Sequence, residues 1–459
     1  MNHIPIPSFF EPQIPQIQIE STLQIDEIKT DTEKDTEKDT EKDTEKNTET
    51  KTDETNETNE TKEQVWFHQC RPYPLFHLLY KKWGGSTHAN EGVAYLRNEI
   101  LQSLYAQQNY ETSSQIEIST SRYWTNIYYS GLPDEFSDVL NQITKLSQLQ
   151  IPEDLFETSK KLLIDEIKTD GDYPDVIIQR LFLYHNSPYR YMKYGRISSL
   201  QNITYSMMQD NWNDFRSSQL GVLFSTSTTT QKVLLQKLNA QIIEPPIFRP
   251  PQQPNLNTKI QSKSIFVGNR DLEQGHILMA AEVCGTDSPF CYALLVAVHI
   301  LGGSFDSRLS RILRIEQGLT YDISMYVQEG KTSSLLFVQT AVEDVRMSLD
   351  IIKKTISNAS KNWTDLEITT GIYSMQYEYA TSFVTGRRTI SNLEESYLLD
   401  GFIAPLVSPY QNIKIEDVRN ALQMISQYEW FTIVLAHPSD YKTIKNKYEF
   451  VKGQLVDYM

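Results

Sequence analysis

The body of this 459-residue chain divides into two halves that repeat one order of predicted elements, and this repeat constrains the fold more than any other feature. The division lies in residues 239–262, where five prolines disfavour a regular helix and favour an extended connection. In each half, an apolar-periodic helix, a strand and a second helix precede a long helical stretch, a shorter helix and a last strand. This order is typical of an α+β architecture.

The repeat predicts two homologous domains, residues 65–238 and 263–459, joined by the proline-rich linker 239–262. We expect each domain to be a mainly antiparallel sheet packed against helices. In the first domain, LPDEFSDVLNQITKL predicts a helix that begins after Pro133 and carries its apolar residues on one face. In the second, SSLLFVQTAV predicts a strand and IEDVRNALQMI a helix. Duplication explains the shared order most simply.

The acidity of the chain belongs to its first 64 residues. Of the formal net charge of -16, residues 1–64 contribute -11, from 18 Asp and Glu against 7 Lys. Their Thr, Asp, Glu and Lys repeat has no apolar residue to offset the entropy of ordering, so we predict a disordered tail. The tail is either a solvated extension or, as the alternative, an acidic arm that binds a basic partner.

The sequence shows no signal for export or membrane insertion. The first 20 residues lack a basic region followed by an apolar core, and no run of about 18 apolar residues could span a bilayer. Three cysteines are too few for a disulfide framework, and no histidine accompanies Cys284 and Cys291 at the usual zinc-site spacing. We therefore expect a soluble cytoplasmic protein, with no membrane span and no nucleic-acid partner.

Three segments of the second half occur in a recognisable order: QGHILMAAEV, ALLVAVHILGGSFDSRLSRILRIEQGLTYDIS and TAVEDVRMSLDIIKKTI. Together they resemble the C-terminal domain of the pitrilysin and insulinase metallopeptidases, the inverzincins. In the first half, EIKTDGDYPDVIIQRLFLYHNSPYRYMKYG is similar to the stretch that follows the third zinc ligand of that family. The resemblance spans most of residues 84–438.

An active inverzincin needs H-x-x-E-H on its first helix, because two imidazoles one turn apart bind Zn²⁺ and the glutamate deprotonates the bound water. This chain has no two histidines four residues apart. Aligned on the family's lead into the helix, GGSTHANEGVAYLRNEIL places Tyr95 and Glu99 at the ligand histidines and Asn98 at the catalytic glutamate. Glu166 matches the third ligand. The resemblance thus implies no catalytic residue and no metal ligand here; whether Glu99 and Glu166 hold a hard cation stays open.

The pair formed by Arg314 and Tyr321 is the strongest candidate binding site. Gly302 and Gly303 are expected to open a helix that carries Arg314 near its end, Gly318 to close it, and Tyr321 to begin the next strand. By resemblance, Arg314 and Tyr321 match the family's arginine and tyrosine pair, which grips the substrate backbone opposite the zinc site. Judged from the two residues alone, a solvated helix-end cation and an ordinary strand residue would be the preferred interpretation, and the surrounding family stretch reverses that preference.

A chain with the gripping pair but without the zinc motif resembles the non-catalytic subunit of two-chain inverzincins. This implies a substrate-gripping subunit that acts on unfolded peptides beside a homologous H-x-x-E-H partner, which would hold the zinc. The alternative is a structural subunit like the respiratory-complex core subunits of the same fold, which would have no reason to keep Arg314 and Tyr321. A divergent enzyme acting alone ranks last, because no nucleophile, base or metal cluster is evident.

Overall fold

The computed structural model of the protein contains two six-stranded sheets. The structure describes residues 63–69, 75–86, 89–108, 115–146, 149–170, 173–186, 192–218, 220–225, 240–242, 264–269, 271–330, 332–392, 408–445 and 447–453. The strands of the first sheet are β1 Glu63–Gln69, β2 Phe76–Trp83, β3 Gln115–Thr120, β4 Trp124–Gly131, β5 Leu220–Ser225 and β6 Ala240–Ile242. Those of the second are β7 Ser264–Gly268, β8 Gly275–Cys284, β9 Ile323–Gln328, β10 Ser333–Val342, β11 Phe431–Ala436 and β12 Phe450–Gly453.

The two sheets share one strand order. The first runs β3-β4-β2-β5-β1-β6 and the second, read from the same end, β9-β10-β8-β11-β7-β12. Both sheets are mixed, so the prediction of mainly antiparallel sheets was only partly right. In the first sheet β1 pairs in parallel with β5 and β6, and in the second β7 pairs in parallel with β11 and β12. These strands rejoin the sheet after long connections rather than hairpins, which permits parallel pairing.

Helices pack against both sheets. In the first half they are α1 Val93–Gln108, α2 Phe136–Leu146, α3 Glu153–Asp170, α4 Pro174–Asn186, α5 Ile197–Gln201 and α6 Tyr205–Ser217. In the second half they are α7 Cys291–Val298, α8 Arg308–Ser310, α9 Val345–Ser357, α10 Asp365–Thr381, α11 Ile415–Ile425 and α12 Asp440–Ile444. Residues 386–392 are also helical, Pro133–Glu135 and Pro409–Asn412 form 3₁₀ turns, and the chain is π-helical at His299–Gly303 and Arg311–Glu316. The predicted strand SSLLFVQTAV and helix IEDVRNALQMI are confirmed as β10 and α11.

One helix of the first half covers the second sheet. Successive residues of β8 face opposite sides, so Ile277 joins the core under α7 and α9 while Leu278 faces α4. On that outer face, Phe182 of α4 meets Phe337 edge to face at 4.9 Å between ring centroids. Asp175, at the start of α4, also contacts the ring of the buried His276, at 3.1 Å. The two halves are therefore joined by a buried apolar contact as well as by the chain.

The glycine pair lies differently from our expectation. Gly302 and Gly303 end the π-helical turn that continues α7 instead of opening the next helix. A Cβ atom on Gly302 would lie 2.7 Å from the Cβ of Met325 in β9, so glycine is needed there for close packing. The next helix begins instead at α8, where the Ser307 hydroxyl accepts a hydrogen bond from the Ser310 amide.

Several predictions fall wholly or partly outside the described residues. The tail prediction, 1–64, lies there except for Glu63 and Gln64, which already belong to β1. Of the linker 239–262, only the short strand β6 is described. Disorder of the tail and the domain boundaries thus stay predictions. Within the described residues, no helix is both long and apolar enough to cross a bilayer.

Candidate substrate-binding site

The positions that correspond to zinc ligands do lie together. Buried apolar residues spaced along α1 and α3 pack these helices on the first sheet, which leaves Tyr95 and Glu99 half-buried and Glu166 exposed. Burial and the nearby Glu166 carboxylate raise the pKa of Glu99, while a hydrogen bond with Tyr95 opposes that rise. The structure thus brings three of the four predicted positions into one place.

Asn98 points into the protein instead. Only 1% of its surface is exposed, and its Oδ1 accepts hydrogen bonds from Nε and Nη2 of Arg97 at 3.1 and 3.0 Å. Its amide nitrogen donates to the Thr120 hydroxyl at 2.7 Å. The side chain at the catalytic-glutamate position is therefore fully engaged in a buried polar network.

Arg97 organises that network, and sequence reasoning missed it. Its guanidinium is buried, donates to the Gly84 carbonyl at 2.8 Å and to Oδ1 of Asn211 at 3.0 Å, and lies 4.0 Å from the Phe215 ring centroid. Burial lowers the pKa of Arg97 to about 9, because the acceptors around it are neutral. The sequence carried no signal for this role, because a charged residue on a helix is usually solvated.

These residues do not fit a zinc ion. Structural and catalytic zinc sites use histidine or cysteine ligands, usually with three or four protein donors. Across the residues that the structure describes, no group of three or more His, Cys, Asp or Glu side chains could hold a metal. A phenol, a buried amide and two carboxylates therefore replace the family's metal centre.

The second predicted site is built on the turn after α8. Leu309 and Leu313 are buried and fix this turn on the second core, which leaves Arg314 half-buried at the surface. Gly318 adopts a φ of +62°, which lets the Leu319 amide donate to the Leu313 carbonyl at 2.9 Å and end the helix.

Tyr321 lies two residues before β9 rather than at its first residue. The preceding Thr320 hydroxyl donates to the Ala341 carbonyl at 2.6 Å and accepts from the Asp322 amide at 3.1 Å, which anchors the backbone on both sides of Tyr321. The Tyr321 side chain is 81% exposed. Its position is therefore set by the backbone while its ring stays open to a ligand.

Arg314 and Tyr321 lie together, as predicted, and a third residue joins them. The guanidinium carbon of Arg314 is 4.7 Å from the ring centroid of Tyr321 and 4.5 Å from that of Phe305. Phe305 is 69% exposed, so the cation–π cluster of Phe305, Arg314 and Tyr321 faces solvent. No sequence pattern singled out Phe305, because one apolar residue in a polar turn has no periodicity.

The Arg314 guanidinium differs from its neighbours in having open donors. Arg308 donates to the carbonyls of Lys361 and Asn362, at 2.9 Å each, and Arg311 lies 3.8 Å from the Glu316 carboxylate. In the described part of the chain, Arg314 has no hydrogen bond or ion pair. Its N–H groups can therefore take a carbonyl or carboxylate from another molecule.

Comparison with known proteins identifies relatives of this chain. Residues 202–372 match the family profile described as the peptidase M16 inactive domain. The non-peptidase homolog YmxG of Helicobacter pylori is 22% identical over 358 residues, which cover 73% of this chain and 80% of the relative.

Two solved structures share the fold. A protease from Helicobacter pylori superposes with a TM-score of 0.67 at 13% identity, over 81% of this chain and 96% of its own. A chain of complex III2 from Candida albicans superposes with a TM-score of 0.65 at 15% identity, over 83% and 96%. Residues 202–372 therefore belong to the inactive-domain type of the pitrilysin-like peptidase M16 family, and most of the chain is similar to a non-peptidase homologue.

Proposed function

We propose that this protein is the non-catalytic, substrate-gripping subunit of a two-chain zinc metallopeptidase that cleaves unfolded peptides. The supporting observation is that the Arg314 guanidinium has open donors and contacts two exposed rings. The zinc-motif positions of the same chain do not fit a zinc ion. A guanidinium stays charged at any working pH, so it can hold a peptide carbonyl or carboxylate throughout a catalytic cycle.

Under this proposal the zinc ion and the general base come from a partner with H-x-x-E-H. The shared strand order of the two sheets supports two homologous halves, and the partner would close against them around an extended peptide. The cytoplasm is the proposed location.

The experiment reconstitutes the chain with an H-x-x-E-H homologue encoded in the same genome and measures cleavage of an unfolded protein such as casein. Replacing Arg314 by Ala should weaken kcat/KM by roughly 10- to 150-fold, because a charged hydrogen bond contributes about 1.5 to 3 kcal/mol. Tyr321→Phe should have a smaller effect. Arg311→Ala is the matched control, since Arg311 lies on the same turn but is paired with Glu316. A rise in KM alone would mean that Arg314 binds the peptide equally in the ground state and the transition state. A fall in kcat would mean that Arg314 contacts the reacting carbonyl.

A structural role is the second candidate function, supported by the fold shared with a chain of complex III2. A scaffold would need no open guanidinium on an exposed surface. Wild-type kinetics in Arg314→Ala, with a stable complex and an unchanged melting temperature, would favour the scaffold and contradict the gripping role.

A further inference from the structure

We propose that Phe305 is a positioning residue of the gripping site, acting on the peptide through Arg314. This inference rests on the proposed function, which assigns peptide binding to Arg314 and Tyr321. It adds a residue from a different part of the chain, since Phe305 lies in the turn before α8 and Tyr321 after the helix.

The backbone around Phe305 is held on both sides. Before it, Gly302 packs against Met325 of β9. After it, the Ser307 amide donates to the Ser304 carbonyl at 3.1 Å, and the Ser304 hydroxyl donates to the Asp306 carboxylate at 2.8 Å. The ring is thus presented from an ordered turn, although 69% of its surface is exposed.

The guanidinium carbon of Arg314 lies 4.5 Å from the ring centroid of Phe305 and 4.7 Å from that of Tyr321. Phe305 precedes α8 and Tyr321 follows the helix, so the two rings reach the Arg314 guanidinium from separate parts of the chain.

This arrangement explains how a guanidinium without hydrogen bonds can be oriented. A free arginine side chain loses rotamer entropy when a ligand fixes it. Rings against the guanidinium restrict its rotamers before the peptide arrives, and they leave the N–H edge open, where a planar carbonyl or carboxylate binds. Removing Phe305 should therefore weaken peptide binding without removing any donor.

The test uses the full chain and a fluorescein-labelled 20-residue peptide without secondary structure, with binding followed by fluorescence anisotropy. Phe305→Ala should weaken binding about 2- to 5-fold, the range expected for an exposed cation–π contact. Phe305→Tyr, which keeps the ring, should bind as wild type, and Phe305→Leu should bind as weakly as Phe305→Ala. Phe290→Ala is the matched control, because Phe290 is also exposed, at 49%, and caps α7.

A double-mutant cycle separates positioning from direct contact. If Phe305 acts through Arg314, Phe305→Ala should have no further effect in an Arg314→Ala background. Equal weakening in both backgrounds would overturn the proposal, because Phe305 would then touch the peptide independently. If Arg314→Ala binds the peptide more weakly while Phe305→Ala and Phe305→Leu bind it as wild type does, the role of Phe305 is overturned and the proposed function is not. Absence of peptide binding, or wild-type binding by Arg314→Ala, would refute the proposed function and this inference together.

Discussion

Rebuilding the zinc motif on α1 should produce a metal site without a peptidase. The variant Tyr95→His, Asn98→Glu, Glu99→His places two imidazoles one helical turn apart near Glu166, which is close enough to Glu99 to raise the pKa of that residue. It also restores a carboxylate at the position of the general base. We expect zinc to bind and peptide cleavage to stay at background, because Arg97 will capture the new carboxylate.

The geometry of Asn98 sets the size of the effect. Its Oδ1 lies 3.0 to 3.1 Å from two nitrogens of Arg97, and the side chain is buried. A carboxylate beside a buried guanidinium has its pKa lowered by about 1 to 3 units, whereas a general base works best with a pKa near the working pH. Loss of general-base catalysis costs about 10²- to 10⁴-fold in rate.

The assay combines metal analysis of the purified chains with chelator-sensitive casein hydrolysis. Wild type should hold no stoichiometric zinc and cleave nothing, and the triple variant should hold about one zinc per chain. Adding Glu166→Gln should remove that zinc, which tests the third ligand. Adding Arg97→Leu should release the base and raise hydrolysis. Chelator-sensitive turnover by the triple variant itself would refute the reasoning about Arg97.

Three further predictions concern the tail, the contact between the halves and pH. Deletion of residues 1–62 stops short of β1 and should leave the complex with the partner intact, as measured by size-exclusion chromatography. A charged repeat offers little of the roughly 1,200 to 2,000 Å² that a stable interface buries. Loss of the complex would show that the tail is an interaction arm. Phe182→Ala should lower the free energy of unfolding, measured by urea titration, by about 3 to 5 kcal/mol, because Phe182 is buried against Phe337. Phe290→Ala is the control at an exposed ring. Equal losses of stability in the two variants would contradict the buried contact of α4. Burial and the Arg387 charge lower the pKa of His77 below 6.5, so on acidification the unfolded chain protonates His77 before the folded chain does, and the free energy of unfolding should fall as pH drops through 6.5. In urea titrations at a series of pH values, His77→Gln should make this fall shallower. The same pH dependence in wild type and variant would contradict the assignment to His77.

Much of the fold could be predicted because its elements carry their own signals. The strand β10 and the helix α11 coincide with the predicted segments, since their periodicity and flanking residues are local. The turn at Gly318 was also predictable, because a residue at positive φ after a helix favours glycine. The role of Gly302 was not, because its close contact is with Met325, on a strand reached only after an intervening helix.

The candidate sites divide in the same way. The absence of H-x-x-E-H could be seen in the letters alone, and so could the candidate pair Arg314 and Tyr321, seven residues apart. The position of Phe305 against Arg314 could not, because it depends on how the turn before α8 folds back on the helix. The burial of Arg97 was equally hidden, since a charged residue on a helix is usually solvated.

By itself, therefore, the sequence determined the family, the missing zinc ligands and the order of the elements, all of which depend on residue types at short spacing. Only the tertiary structure decided that α4 covers the second sheet, that Arg97 occupies the space beside the lost catalytic base, and that two rings hold Arg314. The physical reason is that these contacts join side chains from separate elements. Their energy comes from burial and desolvation, which depend on what packs around each residue and not on its neighbours in the chain.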